Sequence, residues 1–416
     1  MTKFSPRAKF SQVTFQNPFT PGAGHPPPYL AGRETEKEEF LRLLEQETIF
    51  DNLVLTGLRG IGKTVLLDQF RPLATRAHWL WVGSDLSEAS SVDEERLATR
   101  LLTDLAVVTS GIEVTSGRSA IGFGKASGTP RYESLDYYSL RAIYDQTPGL
   151  ISDKLKRVFD VVWEVVSTLD QPIPGIVFAY DEAQNMSDHP VKQQFPLALL
   201  LDVFQSIQRR GIRFLLVLAG LPTLFPKLVD ARTFAERMFR VVFLKRLDDH
   251  HSREAILRPI DAKQCRVRID DKSLHAIIRH AGGYPYFIQF ICREVYDSFL
   301  SNFQRTQRYG PVPIAEITRK LDADFFAGRW NRVTDRQRDL LYVIAALETS
   351  DDEFTVAEIV EKSRSLGEKP FSSSHVNQML VALVASGLVY KNRHGRYSFA
   401  VPLFGGFVLR QMSAAS

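Results

Sequence analysis

The segment Gly57-Leu58-Arg59-Gly60-Ile61-Gly62-Lys63-Thr64 has the residue types and spacing, G-x-x-x-x-G-K-[ST], that cradle a phosphate chain. Glycines let the backbone curl until successive N–H groups face one anion, and a helix beginning just beyond adds its positive end. On this reading Gly57, Gly60 and Gly62 shape the cradle, Lys63 reaches the outer phosphates and the Thr64 hydroxyl ligates Mg²⁺. A second constellation, Asp181-Glu182, ends the apolar run Ile176–Tyr180. A strand delivering two carboxylates beside a phosphate loop supplies a hard oxygen ligand for Mg²⁺, here Asp181. Glu182, one residue on, would orient or deprotonate an attacking water. Further along, Arg237 and Arg240 precede the run Val241–Leu244. Either one, Arg237 by preference, would stabilise transition-state charge on a neighbouring subunit's nucleotide, or both are surface charges. At Gly220-Leu221-Pro222-Thr223 a polar group would sense the terminal phosphate. Gly220 has no side chain to do so, which leaves Thr223 or a plain turn.

Strands and helices must carry these groups. Five apolar runs of strand length, Leu53–Thr56, Trp79–Val82, Ile176–Tyr180, Phe214–Ala219 and Val241–Leu244, alternate with helical patterns. That alternation predicts an α/β fold, a phosphate-loop core built on a five-stranded parallel sheet. A helix opens at Gly32-Arg33-Glu34-Thr35, with Phe40, Leu41, Leu43 and Leu44 as its apolar positions. Residues 109–134 are rich in Gly and Ser and form a surface insertion, or a basic loop through Arg118 and Lys125 that touches nucleic acid. Residues 1–29 are rich in Pro and Gly and read as an extension strapped across the domain that follows, or as a polyproline ligand. Beyond residue 250 the pattern turns helical. Leu274, Ile277, Ile278 and Ala281 share a face, Asp270 or Asp271 caps it, and Gly282-Gly283 breaks it before Pro285 starts another helix.

Bulk properties set limits. The 416 residues carry a net charge of only +4, with 44% hydrophobic and 24% charged residues, an ordinary globular composition. That charge permits a nucleic-acid partner without demanding one. The two cysteines, Cys265 and Cys292, form no C-x-x-C pair, which fits a reducing compartment and argues against structural zinc. No apolar stretch is long enough to span a bilayer, and a cytoplasmic protein without membrane attachment is expected.

The carboxy-terminal part, 334–400, reads as three short helices and a hairpin, the pattern of a winged helix. Thr334 caps the first helix, Phe354–Arg364 forms the second, and Ser372-Ser373-Ser374 leads into the third. His375, Asn377 and Gln378 face outward near the start of the third helix, where a recognition helix meets base edges. Leu388–Lys391 and Arg396–Ala400 would be wing strands joined by Asn392-Arg393-His394-Gly395. Acidic residues exceed basic ones over 334–370, whereas 371–416 holds Lys391, Arg393, Arg396 and Arg410 and no carboxylate. A basic wing beside a polar helix start suits phosphate contacts, although winged helices also dock proteins.

The order Gly32-Arg33-Glu34, phosphate loop, Asp181-Glu182-Ala183-Gln184, Gly220-Leu221-Pro222 and Gly282-Gly283-Tyr284-Pro285 resembles that of AAA+ ATPases. The similarity points to the origin-recognition and initiator branch and its bacterial and archaeal relatives, STAND-like signalling ATPases among them. It implies ATP and Mg²⁺ as cofactors, with Leu30, Gly32 and Arg33 covering the adenine and Tyr284 and Pro285 in a lid turn over the nucleotide. It also implies four segments: an extension at 1–29, a nucleotide domain at 30–249, a helical lid at 250–328 and a winged helix at 329–416. Pro285 stands where many relatives carry a phosphate-sensing arginine, which favours slow hydrolysis and a switch over a fast motor. Two outputs follow from the resemblance. One is nucleotide-controlled homo-oligomer assembly on double-stranded DNA or a DNA-bound complex. The other is a STAND-like switch in signalling or defence, whose winged helix docks a separately encoded effector protein.

Overall fold

The computed structural model describes residues 16–22, 24–83, 85–87, 92–112, 134–263, 265, 267–366, 369–393 and 395–415. Most of the 109–134 insertion, including Arg118 and Lys125, lies outside the described residues, as does His394. Two compact units are formed. Residues 33–58 and 66–244 make one; 59–65, 245–416 and the described part of 1–32 make the other.

In the first unit the apolar runs become a wholly parallel sheet. Its strands are β1 (Asn52–Thr56), β2 (Leu80–Val82), β3 (Ile176–Tyr180), β4 (Phe214–Gly220) and β5 (Phe239–Phe243), ordered β2-β3-β4-β1-β5. Every residue of β1, β3 and β4 is buried. Helices cover both faces of such a sheet, which is why these strands read as continuous apolar runs. Phe159, Phe178, Phe204 and Phe214 interlock on one face with ring centroids 5.1 to 5.8 Å apart. Each ring contributes roughly 1.5–3 kcal/mol by leaving water. The fifth strand starts earlier than its apolar run, so Arg240 lies inside β5, opposite Leu53, and not ahead of the strand. As an edge strand β5 leaves Arg240 exposed. The helix Glu34–Leu44 buries Phe40, Leu43 and Leu44 but not Leu41. One 100° step turns Leu41 off the face the other three share.

The second unit is helical up to residue 345. Asp270 accepts the Ser273 N–H at 2.8 Å to cap the helix Asp271–Ala281. Pro285 then opens Pro285–Thr306, a helix that buries Phe287, Ile288, Ile291 and Val295. The described part of the extension belongs to this unit, and not to the one that follows it in sequence. Phe19 is buried in this unit's core, and Asn17 donates to the Arg293 carbonyl at 2.9 Å. Thr334 and Gln337 form a capping box on the helix Asp335–Ala345. Next come β6 (Phe354–Thr355), the helices Val356–Leu366 and Ser373–Ala385, then β7 (Val389–Arg393) and β8 (Arg396–Phe399). These strands pair antiparallel in the order β6-β8-β7. Phe354 and Thr355 had been expected in the second helix. Instead Phe354 is buried beside Phe399, and Thr355 receives the Glu358 N–H as a helix start. The last helix, Phe404–Ala415, had no sequence signal because Gly405-Gly406 reads against it; burial of Phe404, Phe407 and Val408 decides it. One continuous core joins residues from Leu247 to Val408. No helix among the described residues is long and apolar enough to cross a membrane.

Candidate functional site

The loop leaving β1 is shaped by its glycines. Gly60 has φ 74° and Gly62 has φ 95°, conformations that cost other residues roughly 1–2 kcal/mol. A Cβ on Gly62 would meet nothing within 4 Å, so the backbone there faces open space. A Cβ on Gly60 would lie 3.1 Å from the Cβ of Tyr286, whose N–H donates to the Gly60 carbonyl at 3.2 Å. The turn Tyr284-Pro285 thus delivers Tyr286 onto the loop, a contact with no signal in the sequence. Tyr284 is half-buried, and burial raises its hydroxyl pKa. The helix Lys63–Arg76 starts directly after the loop, with Lys63 buried. Arg33, at the start of Glu34–Leu44, is buried and pairs with Glu36 at 3.3 Å. Burial lowers its pKa against the pull of Glu36.

β1 and β3 are parallel members of one sheet, so both exit at the same edge. Asp181, just past β3, is buried and pairs through its backbone with Asp85, which follows β2. Asp68, on the helix after the phosphate loop, is the third carboxylate here. Its pKa is raised by burial first, then by Asp181 and Asp85, against a smaller opposing effect of Arg71. Asp68 and Asp85 were not singled out in the sequence. Their signal was positional: one turn into the phosphate-loop helix, and at the exit of the strand beside β3. Glu182 adopts a left-handed conformation, φ 51° and ψ 31°, and donates its N–H to Asp181 Oδ1 at 2.7 Å. Its carboxylate accepts a hydrogen bond from the Gln184 amide.

The remaining residues are more scattered. Arg237 is exposed on the short helix Ala235–Met238. Arg240 is ion-paired with Glu39. Thr223 precedes the helix Leu224–Ala231 without capping it through its side chain. On Ser373–Ala385, Asn377 and Gln378 are exposed, whereas His375 is half-buried against the Phe371 ring, contrary to the outward position expected of it. Asn377 donates to the Ser373 carbonyl of its own helix at 2.9 Å. Lys391 is exposed, Arg396 is half-buried, and Arg393 pairs with Arg396 across the β7–β8 ladder. The sequence's separation of charge does not persist in space. Asn392 donates to Glu353 at 2.9 Å, Ser398 to the Asp352 carbonyl at 2.7 Å, and Arg410 to Asp322 at 2.9 Å. The Glu353 carboxylate therefore lies against β7 and the Asp322 carboxylate against the last helix.

This architecture is shared with the Walker-type ATPase of Pyrococcus abyssi, at 16% identity and a TM-score of 0.56, over 91% of this chain and 96% of that one. It is shared too with the ORC2 protein of Aeropyrum pernix in its ADP form, at 13% identity and a TM-score of 0.52, over 94% and 97%. With both, this chain shares an α/β P-loop NTPase fold. Residues 323–408 match a family described as a domain of unknown function, DUF8462. No curated protein matches the chain.

Proposed function

We propose that this chain is an ATPase that binds magnesium–ATP through the Gly57–Thr64 loop and uses the nucleotide as an assembly switch. The observation that carries this reading is the open backbone face of Gly62 in a loop that ends at the buried Lys63. Such a face suits a phosphate chain, and the carboxylates of Asp181 and Glu182, which follow β3, suit a divalent cation and its water. An ADP form of the Aeropyrum protein of the same fold supports a nucleotide ligand. Lys63 would hold the outer phosphates, and Thr64 and Asp181 would supply oxygens to Mg²⁺. Bound Mg²⁺ neutralises charge on the phosphates. Glu182 would take a proton from the attacking water, while Tyr284 and Pro285 line the lid turn and Arg33 the base. Arg237, left exposed, suits a role in a neighbouring subunit's site better than Arg240, which Glu39 holds.

The segments 30–249, 250–328 and 329–416 would serve as nucleotide domain, lid and winged helix. Pro285 in place of an arginine favours slow turnover. For the output, Lys391, Arg393 and Arg396 support assembly of a homo-oligomer on double-stranded DNA. The Glu353 carboxylate, held by Asn392 of β7, favours the second reading, in which the winged helix docks an effector protein. The test is ATP binding and turnover with and without duplex DNA. Lys63→Ala should lose ATP affinity, and Glu182→Gln should keep affinity while losing turnover by roughly a hundredfold. Retained affinity in Lys63→Ala would remove the site assignment. Turnover stimulated by DNA supports the first output, and slow turnover indifferent to DNA the second.

A further inference from the structure

Two residues beyond Glu182, Gln184 holds a position its chemistry alone explains. Its side chain is nearly buried, at 9% exposure, and its amide has a partner at each end. Oε1 accepts the Leu221 N–H at 2.9 Å, at the exit of β4, and Nε2 donates to the Glu182 carboxylate. These partners fix the amide's orientation, because a backbone N–H needs an acceptor and a carboxylate needs a donor. Neither a carboxylate nor an aliphatic side chain serves both. The space is made by Gly220, where a Cβ would stand 2.6 Å from Gln184 Oε1. The backbone is anchored as well: Lys227 donates to the Gln184 carbonyl at 2.7 Å and to Ser187 at 3.0 Å. Glu182 itself sits in the left-handed region, so its short turn is held by partners and not by intrinsic preference.

We propose that Gln184 is the positioning residue for Glu182, an amide strut that fixes the carboxylate relative to the β4 exit. The proposal rests on Glu182 being the group that activates water. Gly220 is part of the device, since any side chain there displaces the strut. Loss of the strut leaves nucleotide binding intact, because no residue of the phosphate loop is touched, and lowers the chemical step by letting the carboxylate swing.

The experiment compares ATP turnover and ATP affinity in the full chain for Gln184→Leu, Gly220→Ala, Glu182→Gln and the Glu182→Gln/Gln184→Leu double variant. Gln184→Leu should lower kcat by roughly tenfold or more with ATP Kd within about twofold of the parent. Gly220→Ala should do the same to a smaller extent, and it serves where Gln184→Leu does not fold. The double variant should be no slower than Glu182→Gln alone, because residues acting as one unit are non-additive. Full turnover in both Gln184→Leu and Gly220→Ala, with Glu182→Gln inactive, overturns the proposal. So does a parallel loss of ATP affinity, which marks a structural role. If Glu182→Gln itself turns over normally, the reading of Glu182 falls first and takes the strut with it.

Discussion

The two sheets of this molecule treat their carboxylates in opposite ways. At the edge of the parallel sheet, the Asp68 carboxyl is held away from ionisation by burial first and then by Asp181 and Asp85. At the small antiparallel sheet, the Glu353 carboxylate accepts from the Asn392 amide and the Asp352 carbonyl from the Ser398 hydroxyl. The first arrangement sets a carboxyl among like charges. The second gives a carboxylate an amide donor.

The sharpest way to break that comparison is at the loop serving the first sheet. Gly62→Val must abandon φ 95°, and ATP affinity should fall by at least about tenfold, equal to ~1.4 kcal/mol. Calorimetric titration checks it, and unchanged affinity would mean the loop's curl is not used for phosphate. A smaller effect is expected at the wing. The paired variant Asp352→Asn/Glu353→Gln should raise duplex DNA affinity a few-fold and steepen its salt dependence, if the carboxylates mask the basic strands. Identical salt slopes in parent and variant would instead place the wing's partner among proteins. The smallest effect should come from Asp68→Asn, measured by thermal unfolding in EDTA. A carboxyl whose folded pKa is raised binds a proton more tightly folded than unfolded, so stability declines as pH climbs from the ordinary value of 3.8 through the folded one. Asp68→Asn removes that loss. The variant should melt slightly above the parent near neutral pH and together with it below pH 3.8.

Legibility differed along the same line. The β1, β3 and β4 runs could be read because strands buried on both faces need unbroken apolar residues, and strand exits in a parallel sheet share one edge. Asp181 and Glu182 were singled out for that reason. Asp68 and Asp85 were not, because a lone aspartate in a helix or after a strand looks like any solvated charge until its neighbours are known. Tyr286 was missed since only packing brings it to Gly60. At the wing, counting charges along the chain misled. The acidic stretch before β6 is separated from β7 by two helices in sequence and by one hydrogen bond in space.

By itself the sequence determined the alternating α/β order, and it set the expectation of a nucleotide loop and strand-end carboxylates, all of which depend on local residue types and periodicity. Only the tertiary structure decided which groups meet. It ran the described part of the amino-terminal extension into the second unit's core at Phe19, made a strand of Phe354 and Thr355, tied Arg240 to Glu39, and set Gln184 between Glu182 and the β4 exit. The physical reason is range. Backbone conformation and amphipathic pattern are written over a few residues, whereas hydrogen-bond partners and charge neighbours are chosen by a fold that joins residues tens to hundreds apart.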